Sequence, residues 1–326
     1  MVLLLFLAGC GSETAVNEAD GSAELSAPSG GGLLFMQTTP GQQSLVRYDL
    51  ETEAIETLFA TENNAWLSYA DSAPDGSQFV LSYSPSPPDG GVQFGFTQLY
   101  LLVNGENEPR LLIEPTKPDD IYFYPNWANN GRFITYSHVV QGENGRDFTT
   151  TLERYELDTG EITILAENGI WARLSPDSRK IAYVFVEPNS LIRRLVVADA
   201  NGGNELVVVD ENDFVDIDAP FFTPDNEWLY FSAVEHAQTS FWEQLMGVPV
   251  ASAHNVPSDW WRVPISGGEL ERITSISETG IAGTVLPNKQ EIAFVSQTGL
   301  FTMGLDGSDL EKQLETMAGG FAVWIP

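Results

Sequence analysis

Cysteine, lysine and long apolar runs are what this 326-residue sequence has least of. Its single cysteine excludes an internal disulfide framework and a multi-thiolate metal site. Only 15 basic residues, four of them lysine, stand against 46 acidic ones, for a formal net charge of −31. No basic stripe can neutralise phosphates, so nucleic acid and anionic membrane surfaces are poor partners, whereas a cationic, neutral or metal-bridged one is compatible. The longest terminal apolar stretch, Val2 to Leu7, is far short of the roughly 20 residues that span a bilayer. What is present is 43% hydrophobic and 11% aromatic residues with 29 Gly and 19 Pro. That is too apolar for a disordered chain and too rich in turns for a helical bundle, so a folded, β-rich body is expected.

The apolar start runs into Leu7-Ala8-Gly9-Cys10. This resembles a bacterial lipobox, in which small residues let a signal peptidase cut just before a cysteine that receives a diacylglyceryl group. The resemblance implies a lipoprotein signal peptide over residues 1–9, lipidation at Cys10, and an extracytoplasmic protein held on a bacterial membrane. Only Met1 precedes the apolar run, where a signal peptide carries positive charge, so a truncated or mis-assigned start is expected. Residues 10–31 contain no aromatic residue and read as a flexible acidic tether. Some 20 residues of flexible coil hold a body roughly 25 Å from its anchor.

The remainder repeats. Ala73-Pro74-Asp75-Gly76, Ser175-Pro176-Asp177-Ser178, Thr223-Pro224-Asp225-Asn226, Leu286-Pro287-Asn288-Lys289 and a weaker Trp127-Ala128-Asn129-Asn130-Gly131 each precede a short β-branched or aromatic run. A tight corner entering a buried strand has this form. Gly turns at Asn104-Gly105, Thr159-Gly160, Gly202-Gly203, Gly267-Gly268 and Asp306-Gly307 each sit between two apolar runs and predict hairpins. Corner positions 74, 128, 176, 224 and 287 lie 54, 48, 48 and 63 residues apart, the spacing of four-stranded propeller blades. Strands near residues 33, 45 and 55 lack a first strand, and Phe321 to Ile325 supplies one. Pro28 precedes Leu33 at the corner spacing. The expected fold is therefore all-β: a six-bladed β-propeller over residues 32–326, its first blade closed by the C-terminal strand so that no sheet edge is left free. In its Pro-Asp corners, Gly hairpins and blade count the chain resembles the TolB-like six-bladed propeller superfamily. That fold hosts binding proteins, hydrolase-attached domains and lyases. The namesake's separate N-terminal domain has no counterpart between residues 1 and 31, so its role in the cell envelope is not carried over.

Loops joining second to third strands, together with the links between blades, fall on one face of a propeller, and the long loops here are of that kind: Tyr83 to Phe94, Val139 to Asp147 and Ala233 to Asp259. In the last, Ser240-Phe241-Trp242-Glu243 has the form of a helix capping box, which predicts a short helix with Phe241, Trp242, Leu245 and Met246 on one side, as a lid or a partner surface. His138, His236 and His254 lie in or beside these loops and are candidate metal ligands, as in six-bladed lyases acting on acidic sugars, although no His-x-x-x-His spacing occurs. Asp119, Asp120, Asp210 and Asp213 lie on links expected on the same face, as a solvated acidic rim or a calcium site lacking the usual calcium-loop pattern. No Gly-x-Ser-x-Gly elbow or phosphate-cradling loop is present. Two function classes follow. One is a monomeric, non-catalytic binding or scaffold module for a protein, peptide or glycan, with no resident cofactor; the other is a metal-assisted polysaccharide lyase or hydrolase working in the funnel.

Overall fold

The computed structural model describes residues 31–326 other than 63, 88–95, 118, 143–147, 189, 191, 237–256 and 277. The described residues form six antiparallel sheets of four strands each. The first sheet takes β1 (Gly32–Thr39), β2 (Gln42–Tyr48) and β3 (Ile55–Ala60); the second β4 (Trp66–Ser72), β5 (Gln78–Ser84), β6 (Gln98–Val103) and β7 (Arg110–Leu111). The third takes β8 (Ile121–Trp127), β9 (Phe133–Gln141), β10 (Phe148–Glu156) and β11 (Ile162–Glu167); the fourth β12 (Gly169–Leu174), β13 (Lys180–Val186), β14 (Arg193–Asp199) and β15 (Leu206–Val209). The fifth takes β16 (Phe214–Phe222), β17 (Trp228–Glu235), β18 (Asp259–Pro264) and β19 (Glu271–Arg272); the sixth β20 (Ala282–Val285), β21 (Glu291–Ser296), β22 (Gly299–Gly304) and β23 (Glu311–Glu315). Last in the chain, β24 (Ala318–Ile325) returns to the first sheet, whose order is β24-β1-β2-β3. Its register runs from Gly32↔Ile325 to Gln37↔Ala318, so the innermost position of blade 1 is filled from the other end of the chain, as the repeat pattern predicts.

The repeated Pro-Asp or Asn-containing corner has one physical cause. Oδ1 of Asp75, Asp177 and Asp225 accepts the backbone N–H two residues on, from Ser77 (3.0 Å), Arg179 (3.1 Å) and Glu227 (3.0 Å). Asn130 and Asn288 accept from Arg132 (3.0 Å) and Gln290 (3.0 Å) in the same way. An Asx turn of this kind closes the corner without help from distant residues. The residue it spans is left-handed each time, at Gly76, Gly131, Ser178, Asn226 and Lys289.

Inner strands depart from regular pleating where they line the axis. Tyr124 (φ 51°) in β8, Trp171 (φ 56°) in β12 and Ala219 (φ 47°) in β16 are left-handed, and each lies at a register break with the next strand. Bulges of this sort re-aim side chains. At the rim, blades meet backbone to backbone: a Cβ on Gly202 (φ 84°), in the hairpin between β14 and β15, would come within 2.4 Å of the Leu165 carbonyl of blade 3. Only glycine fits there.

Candidate functional site

A cavity of about 440 Å³ opens on the corner face and receives residues from all six blades. The corner residues Pro74, Pro176, Pro224 and Pro326 rim it with Trp127 and Trp324. Pro326 thus takes the corner place in blade 1; Pro28, matched to that place by spacing, lies outside the described residues. A broader depression of about 540 Å³ between blades 2 and 3 shares Pro74, Trp127 and Asn129 with this funnel, so the two adjoin.

Among the described residues two with charged side chains line the funnel, Asp71 at the end of β4 and Arg173 at the end of β12, both buried. Asp71 Oδ2 accepts Asn126 Nδ2 at 2.5 Å, the Trp127 backbone N–H at 2.8 Å and Arg173 Nη1 at 3.5 Å. Its Oδ1 accepts the Ser72 N–H at 2.9 Å, and Asn126 Oδ1 takes the Leu174 N–H at 2.7 Å. The carboxylate therefore ties blades 2, 3 and 4 together at the axis. Arg173 is differently placed: among the described residues no hydrogen bond but the one from Nη1 uses its N–H groups. Its guanidinium lies over the Phe321 ring at 4.6 Å.

Next to it, aromatic rings from four blades meet near the axis. Trp171 stacks on Tyr124 at 4.3 Å and meets Phe321 edge-on at 5.3 Å, while Tyr69 contacts Tyr124 at 4.5 Å and Phe321 at 6.1 Å. Burial pushes the Tyr69 hydroxyl up to about 12 and raises that of Tyr124, so both stay neutral. On the far side of this plug is a void of about 20 Å³ lined by Trp171, Asp216 and Asp218, sharing no residue with the funnel. One guanidinium, Arg193, serves both of those carboxylates, with Nη1 at 2.7 Å from Asp218 Oδ1 and also bonded to Asp216 Oδ1. Burial, with Asp216 beside it, pushes the Asp218 carboxyl up to about 8.

The sequence candidates fall in several places. His138, in β9, is buried between two carboxylates: Nδ1 is 2.9 Å from Glu153 Oε1 and Nε2 is 3.5 Å from Asp120 Oδ2. Its ring stacks on Tyr122 at 4.5 Å. Burial alone would lower the imidazole, but the Glu153 hydrogen bond and charge, then Asp120, outweigh it and raise the pKa. Asp120 is thus a buried partner of this histidine and not part of a solvated rim; Thr116 Oγ1 (2.5 Å) and the Lys117 N–H (2.8 Å) also donate to it. Asp119 is half-buried, and Asp210 and Asp213 are exposed, Asp213 Oδ2 accepting the Asp210 N–H at 2.9 Å in a local turn. His236 is exposed. Cys10, His254, Phe241, Trp242, Leu245 and Met246 lie outside the described residues. Among the described residues no three His, Cys, Asp or Glu side chains converge to hold a metal ion. Sequence reasoning missed Asp71, Asn126 and Arg173; the available signal was a polar or charged residue two or three positions before the corner, on strands otherwise read as apolar.

Among solved structures, the chain superposes on a putative TolB from Agrobacterium tumefaciens with a TM-score of 0.63 and 16% identity, over 90% of this chain and 94% of that one. The fold is that of the TolB-like propellers. TolB from Acinetobacter baumannii agrees, with a TM-score of 0.64 and 13% identity over 91% of this chain and 67% of that one. An oligogalacturonate lyase in complex with manganese matches at a TM-score of 0.50 and 13% identity, over 86% of this chain and 72% of that one, so likeness of fold does not choose between binding and catalysis. By sequence, an uncharacterized protein of Agrobacterium fabrum, Atu1656, is 23% identical over 292 residues, which cover 89% of this chain and 68% of that protein. No family model matches the chain.

Proposed function

We propose that this protein is a non-catalytic binding module, anchored outside the cytoplasm by a lipid on Cys10, that takes a protein, peptide or glycan ligand into its corner-face funnel. The observation that carries the reading is the funnel itself: about 440 Å³, built from all six blades, with a buried guanidinium facing it. Pockets of this size with a few placed polar groups are the usual form of a binding site. The metal-assisted alternative leans on three histidines, and His138 is already engaged by Glu153 and Asp120.

The anchor rests on Leu7-Ala8-Gly9-Cys10 and on the absence of any other cysteine. A diacylglyceryl group carries two acyl chains, which give stable membrane binding. Cys10→Ser is expected to move the protein from the membrane fraction to the soluble fraction, and unchanged fractionation would defeat the assignment. For the binding reading, ligand captured by the full chain should be lost when Thr284, on the funnel wall, is replaced by Trp. Capture that persists in a folded Thr284→Trp protein would place the site elsewhere.

A further inference from the structure

We infer that the funnel receives the free C-terminal carboxylate of an extended peptide and that Arg173 binds it. This inference rests on the binding reading above and gives it a ligand chemistry. Three independent features lead to it.

The first is charge. In a chain of net charge −31, the funnel has two charged lining residues, and the acid of the pair is already committed. Asp71 accepts from Ser72, Asn126, Trp127 and Arg173, so its lone pairs are taken. Arg173 spends one N–H on that carboxylate, at 3.5 Å, and its side chain lines the cavity with no other hydrogen-bond partner among the described residues. A guanidinium fork matches a carboxylate in geometry and forms the stronger class of hydrogen bonds. Because Asp71 offsets part of the positive charge, the site suits a monoanion better than a doubly charged phosphate.

The second is closure. Directly behind Arg173 stand Phe321, Trp171, Tyr124 and Tyr69, in mutual ring contact, and the void beyond them shares no residue with the funnel. These rings stand in the path of a chain entering from the corner face. The part that reaches Arg173 is therefore an end, and the anionic end of a polypeptide is its C terminus.

The third is the approach. At Pro74, Trp127 and Asn129 the funnel adjoins the depression between blades 2 and 3, which also carries Leu101, Leu112 and Arg110. A compact carboxylate metabolite would use the funnel alone, whereas an extended chain can end at Arg173 and lie along both. The proline and tryptophan rim offers apolar and stacking surface to the residues preceding the terminus.

The test uses the full chain, immobilised, and two pools of randomised seven-residue peptides that differ only in ending in a free carboxylate or a carboxamide. Loss of a charge-assisted pair weakens binding by about ten- to a hundredfold, so the acid pool is expected to be retained at least about tenfold more. Arg173→Gln, folded as judged by its melting curve, should abolish that preference, and Thr284→Trp should lower retention of the acid pool. Equal retention of both pools by the parent overturns the carboxylate assignment while leaving peptide binding in place. Retention of neither pool overturns both. A preference that survives Arg173→Gln, or retention unaffected by Thr284→Trp, removes the assignment to Arg173 and the funnel. Should Arg173→Gln fail to fold, Arg173→Lys keeps the charge without the fork: a diminished preference supports the inference, and an unchanged one refutes it.

Discussion

Phe321 is the point at which ring closure can be weighed. It belongs to β24, is 2% exposed, and is held by Trp171, Tyr69 and the Arg173 guanidinium, so it joins the closing strand to the axial plug. Truncating a buried Phe to Ala costs about 3–5 kcal/mol. A folded body of roughly 300 residues unfolds with an entropy near 0.6 kcal/mol/K, so Phe321→Ala should melt about 5–8 °C below the parent. Met317→Ala, one residue before β24 and 58% exposed, is the control and should stay within about 1 °C. Removing residues 321–326 is more severe. It exposes the partners of Phe321, Val323 and Ile325, each worth about 1.5–3 kcal/mol when fully buried, and strips the inner ladder from β1. The sum is comparable to the 5–15 kcal/mol that holds an ordinary domain together, so the truncated chain should lose its cooperative transition. Calorimetry or circular dichroism reads both results. A Phe321→Ala protein melting within 2 °C of the parent, or a truncated one with a parent-like transition, would refute the shared-blade account.

Asp71→Ala should cost about 3–5 kcal/mol, because it leaves a buried guanidinium and three other donors without their acceptor; adding Arg173→Leu should recover part of the loss, and denaturant unfolding of the double-mutant cycle checks both statements. For His138 the sign follows from its raised pKa: its contribution is complete below the ordinary imidazole value and disappears as pH rises through the folded one. Glu153 and Asp120, both depressed, contribute above the ordinary carboxyl range and lose their share as pH falls through their folded values. The three-residue cluster is therefore strongest from about pH 5 to 6.5. Asp218, raised to about 8 by burial, contributes fully only below the ordinary carboxyl range and loses that share as pH rises from there to about 8. His138→Gln should thus lower the melting temperature at pH 6 more than at pH 9; an equal drop at both values would show that the imidazole is not charged in the folded protein.

Much of the architecture was legible because it is local. An Asx turn forms among four neighbouring residues, so Pro74-Asp75-Gly76 or Thr223-Pro224-Asp225 announces its corner wherever the chain later goes, and repetition at blade spacing counts the blades. Closure by β24 was legible for a related reason: three strands at one end and one at the other leave a single pairing that satisfies the sheet. The site was far less legible. Long loops, histidines and link acids drew attention to one face, yet the 440 Å³ funnel opens on the other, and Asp120 and His138 are bound to each other in the interior.

By itself, then, the sequence determined the blade unit, its six-fold repetition and the order in which the strands join. Tertiary structure decided what stands at the axis. Asp71, Asn126 and Arg173 are up to 102 positions apart and belong to three blades, and nothing in their spacing says that they share a carboxylate. They meet because ring closure brings the inner strands to a common axis, where each side chain's partner is set by the neighbouring blade and not by its own neighbours in sequence.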